Sequence, residues 1–178
     1  MKLYHFTSLN HLRGIALYGL TVGDVPTDLA KWEGRCGVWL TSNSDPRGHG
    51  LEGSSGDKSR IRLTVDVPDN ACLVRWVDWA AKHVARDTRN TLHNTTPNFE
   101  SWYVYFGVIN PGAIVECVDL QTGEALKDWR DRPPSPLDAT PVPPWRRSAW
   151  HKKLLKKIAN EVARMRDAAA SGPFLTIP

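Results

Sequence analysis

Apolar and polar positions along the chain mark out a strand and then a helix within the first twenty residues. Leu3-Tyr4-His5-Phe6-Thr7 is aromatic and β-branched, so it reads as a strand, with His5 and Thr7 on one face and Tyr4 and Phe6 on the other. Leu9, Leu12, Ile15 and Ala16 then recur at helical spacing over about residues 9–18, with Ser8 as a cap and Gly19 at the C-terminal stop. Residues 26–37, holding Pro26, Gly34 and Gly37, read as loop, and Val38-Trp39-Leu40-Thr41-Ser42 as a second strand. Residues 43–58 are polar and glycine-rich, too long for a tight connection, and so either a functional loop or a disordered one.

The clearest alternation runs over Arg60–Val67, with Ile61, Leu63, Val65 and Val67 on one face and Arg60, Arg62, Thr64 and Asp66 on the other. Residues 71–85 begin as strand and continue as helix, and 86–98 are polar and turn-rich. Residues 102–106 and 113–118 read as strands joined through the Asn110-Pro111-Gly112 turn, and hence as a hairpin. Residues 127–147 hold six prolines and should form an extended strap. From Ser148 to about Ala170 an amphipathic helix is expected, with Trp150, Leu154, Ile158, Val162 and Met165 on one stripe and Lys153, Lys157, Asn160 and Arg164 on another. This divides the chain into a domain over 1–126, a proline-rich linker or strap over 127–147, and a basic helix and tail over 148–178 docked on the same domain.

Composition adds little to this division. A length of 178 residues supports one domain with a real core. The net charge of +4 and the pI near 9.1 are compatible with a polyanionic partner without requiring one. Eight tryptophans are many, and they suit either core filling or base stacking. Cys36, Cys72 and Cys117 show neither disulfide nor zinc spacing, and no apolar run is long enough for a signal peptide or a membrane span. The expectation is a cytoplasmic protein with reduced thiols, no metal and no membrane contact.

Three features stand in order: His5-Phe6-Thr7 on the first strand, Trp39 and Thr41 on the second, and Glu100 leading the strand Trp102-Tyr103-Val104-Tyr105. In this order, over about residues 3–118, the chain resembles the ADP-ribosyltransferase superfamily, especially members with a His-aromatic-Glu triad, and more loosely the DarT-like toxins. His-x-Thr followed by a helix ending in Gly19-Leu20 carries most of the likeness, and Ile109-x-Pro111-x-x-Ile114 carries the rest. The resemblance implies an α+β fold, a split β-sandwich of two small sheets with flanking helices, holding NAD as co-substrate in the cleft. His5 would bind a ribose hydroxyl, Phe6, Thr7 and Thr41 would help seat NAD, and Trp39, standing for the usual Tyr, would stack on nicotinamide. Arg62 would face a phosphate, and Glu100 would be catalytic. One carboxylate suffices for that chemistry, because nicotinamide leaves as a neutral molecule and the remaining need is to stabilise an oxocarbenium-like centre.

Asn98 stands where arginine-modifying relatives carry Glu or Gln, which argues against an arginine acceptor. With Arg47 and His49 on the long loop and Lys153 and Lys157 on the last helix as candidate acceptor contacts, a DNA or RNA acceptor is favoured over protein. The expected setting is a toxin or phage–host conflict effector, with a possible antitoxin or inhibitor as a further partner. Two alternatives stay open: an RNA 2′-phosphotransferase-like NAD enzyme relying on arginines, and a non-catalytic nucleic-acid-binding or inhibitor module on the same fold.

Overall fold

A computed structural model describes residues 1–51 and 57–170. The fold is mixed α+β. Its strands are β1 (Lys2–Thr7), β2 (Asp24–Asp28), β3 (Glu33–Cys36), β4 (Val38–Thr41), β5 (Ile61–Asp66), β6 (Leu73–Arg75), β7 (Trp102–Tyr105), β8 (Ile114–Asp119) and β9 (Glu124–Ala125). Its α-helices are α1 (Leu12–Tyr18), α2 (Trp76–His83), α3 (Arg86–Thr95) and α4 (Arg147–Ala170). Seven strands form one antiparallel sheet in the order β6-β7-β4-β1-β5-β8-β9, and β2 and β3 form a two-stranded sheet beside it. The division of strands is thus uneven, seven against two.

Burial follows from β1 lying in the middle of the large sheet. Its pairing with β5 runs over six register pairs from Lys2↔Asp66 to Thr7↔Ile61, whereas with β4 it makes the single pair Tyr4↔Thr41. Directly paired residues share a face. One face therefore presents Leu3, His5, Leu63, Val65, Leu40 and Val38 to α1 and forms the main core with Leu12, Ile15, Ile109 and Trp129. The other presents Trp39, Trp102 and Val104, which meet Trp76, Trp79 and Ala80 of α2 in a second, aromatic core. Most of the tryptophans are structural for this reason. Gly19 closes α1 with φ +76°, and a Cβ there would lie 1.9 Å from the Ile109 carbonyl oxygen, so only glycine fits.

Three expectations change. Residues 26–37, expected as loop, contain the β2–β3 hairpin, which turns through Trp32 at φ 57°. Its strands are short and carry Pro26 and Gly34, so no alternation announces them. Residues 86–98, expected as turns, contain α3. That helix buries only Thr88 fully and lacks an apolar stripe; it is held by tertiary bonds, the Leu29 amide donating to Thr88 Oγ1 at 2.8 Å and Trp76 Nε1 to His93 Nε2 at 3.2 Å. The third change is that β7 and β8 are not a hairpin. β7 sits between β6 and β4, and β8 between β5 and β9, because both faces of β7 are apolar and belong inside the sheet.

The proline-rich strap, expected as extended, alternates extended stretches with turns at 127–130 and 136–137 and a 3-10 turn at Pro144–Arg146, and it does more than link. Trp129 is 5% exposed and belongs to the main core, Arg132 donates to the Leu9 carbonyl, the Ala139 amide bonds Asn10, and Thr21 donates to the Val142 carbonyl. A chain ended after residue 126 is therefore expected to lose cooperative thermal unfolding, and Trp129→Ala to lower stability by about 3–5 kcal/mol. Unchanged melting of the 1–126 fragment would reduce the strap to a passive linker.

Candidate active site

His5 marks the place where β1 and β4 part. Beyond the Tyr4↔Thr41 pair no further register pair joins these strands, and the His5 imidazole spans the gap, Nδ1 donating to the Trp39 carbonyl at 2.8 Å. That bond puts the proton of the neutral ring on Nδ1 and leaves Nε2 as an acceptor. Burial pushes the His5 pKa down to about 4, against a smaller opposite effect of the Trp39 bond, with Lys58 and His11 adding to the lowering. Nearby, on the turn into α1, the Ser8 hydroxyl and His11 Nδ1 lie 2.7 Å apart. His11 is also held below its ordinary value, by burial and by Lys58. His11 and Lys58 did not stand out in the sequence, and Ser8 did so only as a helix cap, a bond its side chain does not make because it turns to His11.

Glu100 is exposed, in a 3-10 turn (Phe99–Ser101) that leads into β7. The turn is fixed from three sides. From the Asn43 amide a chain of bonds runs to Thr41 Oγ1 (3.0 Å), on to Ser101 Oγ (2.8 Å) and then to the Asn98 carbonyl (2.7 Å). Asn98 Nδ2 donates to the Arg47 carbonyl at 2.7 Å, which ties the turn to the loop after β4. Phe99 stacks on His93 of α3, with ring centroids 3.7 Å apart and planes 5° apart. β4 alone separates β7 from β1, so Glu100 and His5 stand about 10 Å apart across the sheet before their offset along the strands is added. A single ligand joining them must be elongated.

The other expected site residues divide between the two faces. Trp39 lies on the face opposite His5. Its ring is packed against Trp76 (4.9 Å) and Trp102 (5.1 Å), and its Nε1 donates to the Asp24 carbonyl at 2.7 Å. It is tied to His5 through its backbone, and the aromatic ring on the His5 face beside Leu40 is Tyr103. Phe6 and Thr7 are buried. His49, expected on a loop reaching for an acceptor, is buried too: it accepts from Trp102 Nε1 at 2.9 Å and stacks on Phe6. Arg62 shares the Trp39 face, its guanidinium 5.3 Å from the Tyr4 ring and 3.9 Å from Glu116. Arg47 is exposed and bonded to Asp45, whose carboxyl it holds down to about 2. Lys153 and Lys157 lie far along the chain on the exposed side of α4, grouped with Lys156, Asn160, Glu161 and Arg164.

Among the described residues no group of three His, Cys, Asp or Glu side chains is arranged to hold a metal, and no helix is long and apolar enough to cross a membrane. Comparison with known proteins gives no match among family models, curated proteins or solved structures.

The half-buried, desolvated His5 makes stability depend on pH. The folded state holds His5 neutral down to about 4, whereas the unfolded chain takes up the proton near 6.5, so stability falls as pH drops through that window. The loss attributable to His5 is about 3 kcal/mol and is complete below about pH 4. Carboxylates such as Asp45 act at lower pH. Denaturant titrations are expected to show a loss between pH 7 and 4 in wild type and a smaller one in His5→Asn, where His11 and His93, also held below their ordinary values, still contribute.

Proposed function

We propose that the chain is an NAD-dependent ADP-ribosyltransferase, built on an ADP-ribosyltransferase-like split β-sandwich and acting as a toxin-type or conflict effector. The observation that carries the reading is His5 at the parting of β1 and β4, its Nδ1 committed to Trp39 and its Nε2 left to accept a ribose hydroxyl. Glu100, on a braced turn two strands away, supplies the carboxylate. The single Tyr4↔Thr41 pair between β1 and β4 supports a sheet that opens at this point.

In the reaction, the bond between the nicotinamide nitrogen and ribose C1′ breaks, and its electron pair leaves with neutral nicotinamide. Glu100 grips the 2′-hydroxyl and stabilises the positive charge that develops at C1′. The acceptor then bonds to C1′ and passes its proton to Glu100. Thr41, Ser101 and Asn98 hold the turn that aims the carboxylate, which makes Asn98 a positioning residue in this scheme. Trp39 serves as scaffold, and ring stacking on nicotinamide falls to the His5 face, where Tyr103 stands.

The favoured acceptor is a nucleic acid, supported by the exposed Lys153, Lys156 and Lys157 on α4. The arginine-based 2′-phosphotransferase reading gains no support, since Arg60 is bonded to Asp119 and Arg62 lies on the face opposite His5.

Incubation with labelled NAD and separate DNA, RNA and protein acceptors is expected to release nicotinamide and label one class. Glu100→Gln should lower the rate roughly a hundredfold or more. Wild type that releases no nicotinamide with any acceptor would sink the proposal.

A further inference from the structure

We infer that the C-terminal helix sets the ribose-facing histidine: His151 and Asp24 are positioning residues that act on His5 through Trp39. The consequence for catalysis rests on the function proposed above; the coupling itself does not. Three bonds form one chain. His151 Nε2 of α4 donates to Asp24 Oδ1 at 2.8 Å. The Asp24 carbonyl accepts from Trp39 Nε1 at 2.7 Å, and the Trp39 carbonyl accepts from His5 Nδ1 at 2.8 Å. Residues 127, 15 and 34 positions apart are joined in this way, and His151 is 8% exposed, so its bond to Asp24 is shielded from competing water.

The seam between Asp24 and Trp39 has little slack. The Gly37 amide bonds the Gly23 carbonyl at 3.0 Å, and a Cβ on Gly23 would lie 2.5 Å from the Gly37 carbonyl oxygen. The first turn of α4 grips both sides of that seam, Arg147 donating from Nε to the Thr21 carbonyl at 2.6 Å and from its terminal nitrogen to the Cys36 carbonyl at 3.4 Å. A carbonyl that moves by about an ångström ceases to be a good acceptor, because hydrogen bonds weaken steeply with distance and angle. Releasing His151 from Asp24 therefore removes one of the restraints on Trp39, and a displaced Trp39 carbonyl no longer dictates which imidazole nitrogen of His5 carries the proton. Nε2 is an acceptor only in the tautomer that this chain enforces.

The test is nitrogen-resolved NMR titration of His5 in the full chain without NAD. In wild type, His5 should hold its proton on Nδ1 and titrate near 4, with His11 and Lys58 the charged neighbours that also act on it. In His151→Ala the His5 pKa should fall further, because the Trp39 carbonyl bond is what favours the protonated ring, and both tautomers should be present. His151→Gln, which keeps a donor, should restore the wild-type pattern. Trp39→Phe removes the Nε1 bond while keeping an aromatic ring between Trp76 and Trp102, and it gives the same readout should His151→Ala fail to fold. A folded His151→Ala or Trp39→Phe protein whose His5 titration and tautomer match wild type overturns the inference. In kinetics, His151→Ala should raise KM for NAD about tenfold while kcat changes less than about twofold. Absence of NAD turnover in wild type would defeat the proposed function, and the titration would still decide the coupling.

Discussion

One hydrogen bond, from His5 Nδ1 to the Trp39 carbonyl, holds together the point on which the candidate site depends. β1 is the central strand of the large sheet, yet it is zipped to β5 along its length and to β4 at one register pair. Where β1 and β4 part, a backbone carbonyl would lack a strand partner, and an unsatisfied buried carbonyl is costly. The imidazole fills that place. Desolvation keeps the ring neutral, while the bond fixes its tautomer and leaves Nε2 as the acceptor.

Everything around that bond fixes one of its two ends. On the far side of the sheet, Trp39 is wedged among Trp76 and Trp102 and bonded to Asp24, so its carbonyl has little freedom. The same aromatic core steadies Glu100, because α3 rests on α2 through Trp76 and His93, and His93 in turn stacks on Phe99. A tryptophan-rich interior thus supports two polar groups that lie outside it. The division of labour is physical: broad rigid rings fix positions, while small hydroxyls such as Thr41 and Ser101 aim the turn.

The chain after residue 126 belongs to this arrangement. The strap lays Trp129 into the main core and crosses α1, where a Cβ on Gly14 would meet Pro141 at 3.0 Å. α4 then docks its first turn on the residues before β2 and the end of β3, leaving its lysines outward. The helix is held by a few charged and polar contacts at one end, and its basic face stays open to solvent.

The amino-acid sequence by itself determined the elements whose patterns are strong: β1 and the helix after it, the alternating β5, the proline-rich strap and the amphipathic α4. It also placed His5 and Trp39 on two strands, β1 and β4, and Glu100 just ahead of a third, β7, and these three strands turn out to be neighbours. Only the tertiary structure decided which strands pair and which face each side chain takes. Periodicity reports that a strand has two faces, and says nothing of which neighbour it meets, so the β7–β8 hairpin was wrong. α3 and the β2–β3 hairpin were invisible for a related reason: each sends a lone apolar residue, Leu92 or Val25, to the aromatic core and relies on bonds to distant residues, such as Leu29 to Thr88, so neither shows an apolar repeat. His5 and Trp39 share a hydrogen bond and yet present their rings to opposite sides of the sheet, because the register across β1, β4 and β7 exists only once the chain has folded.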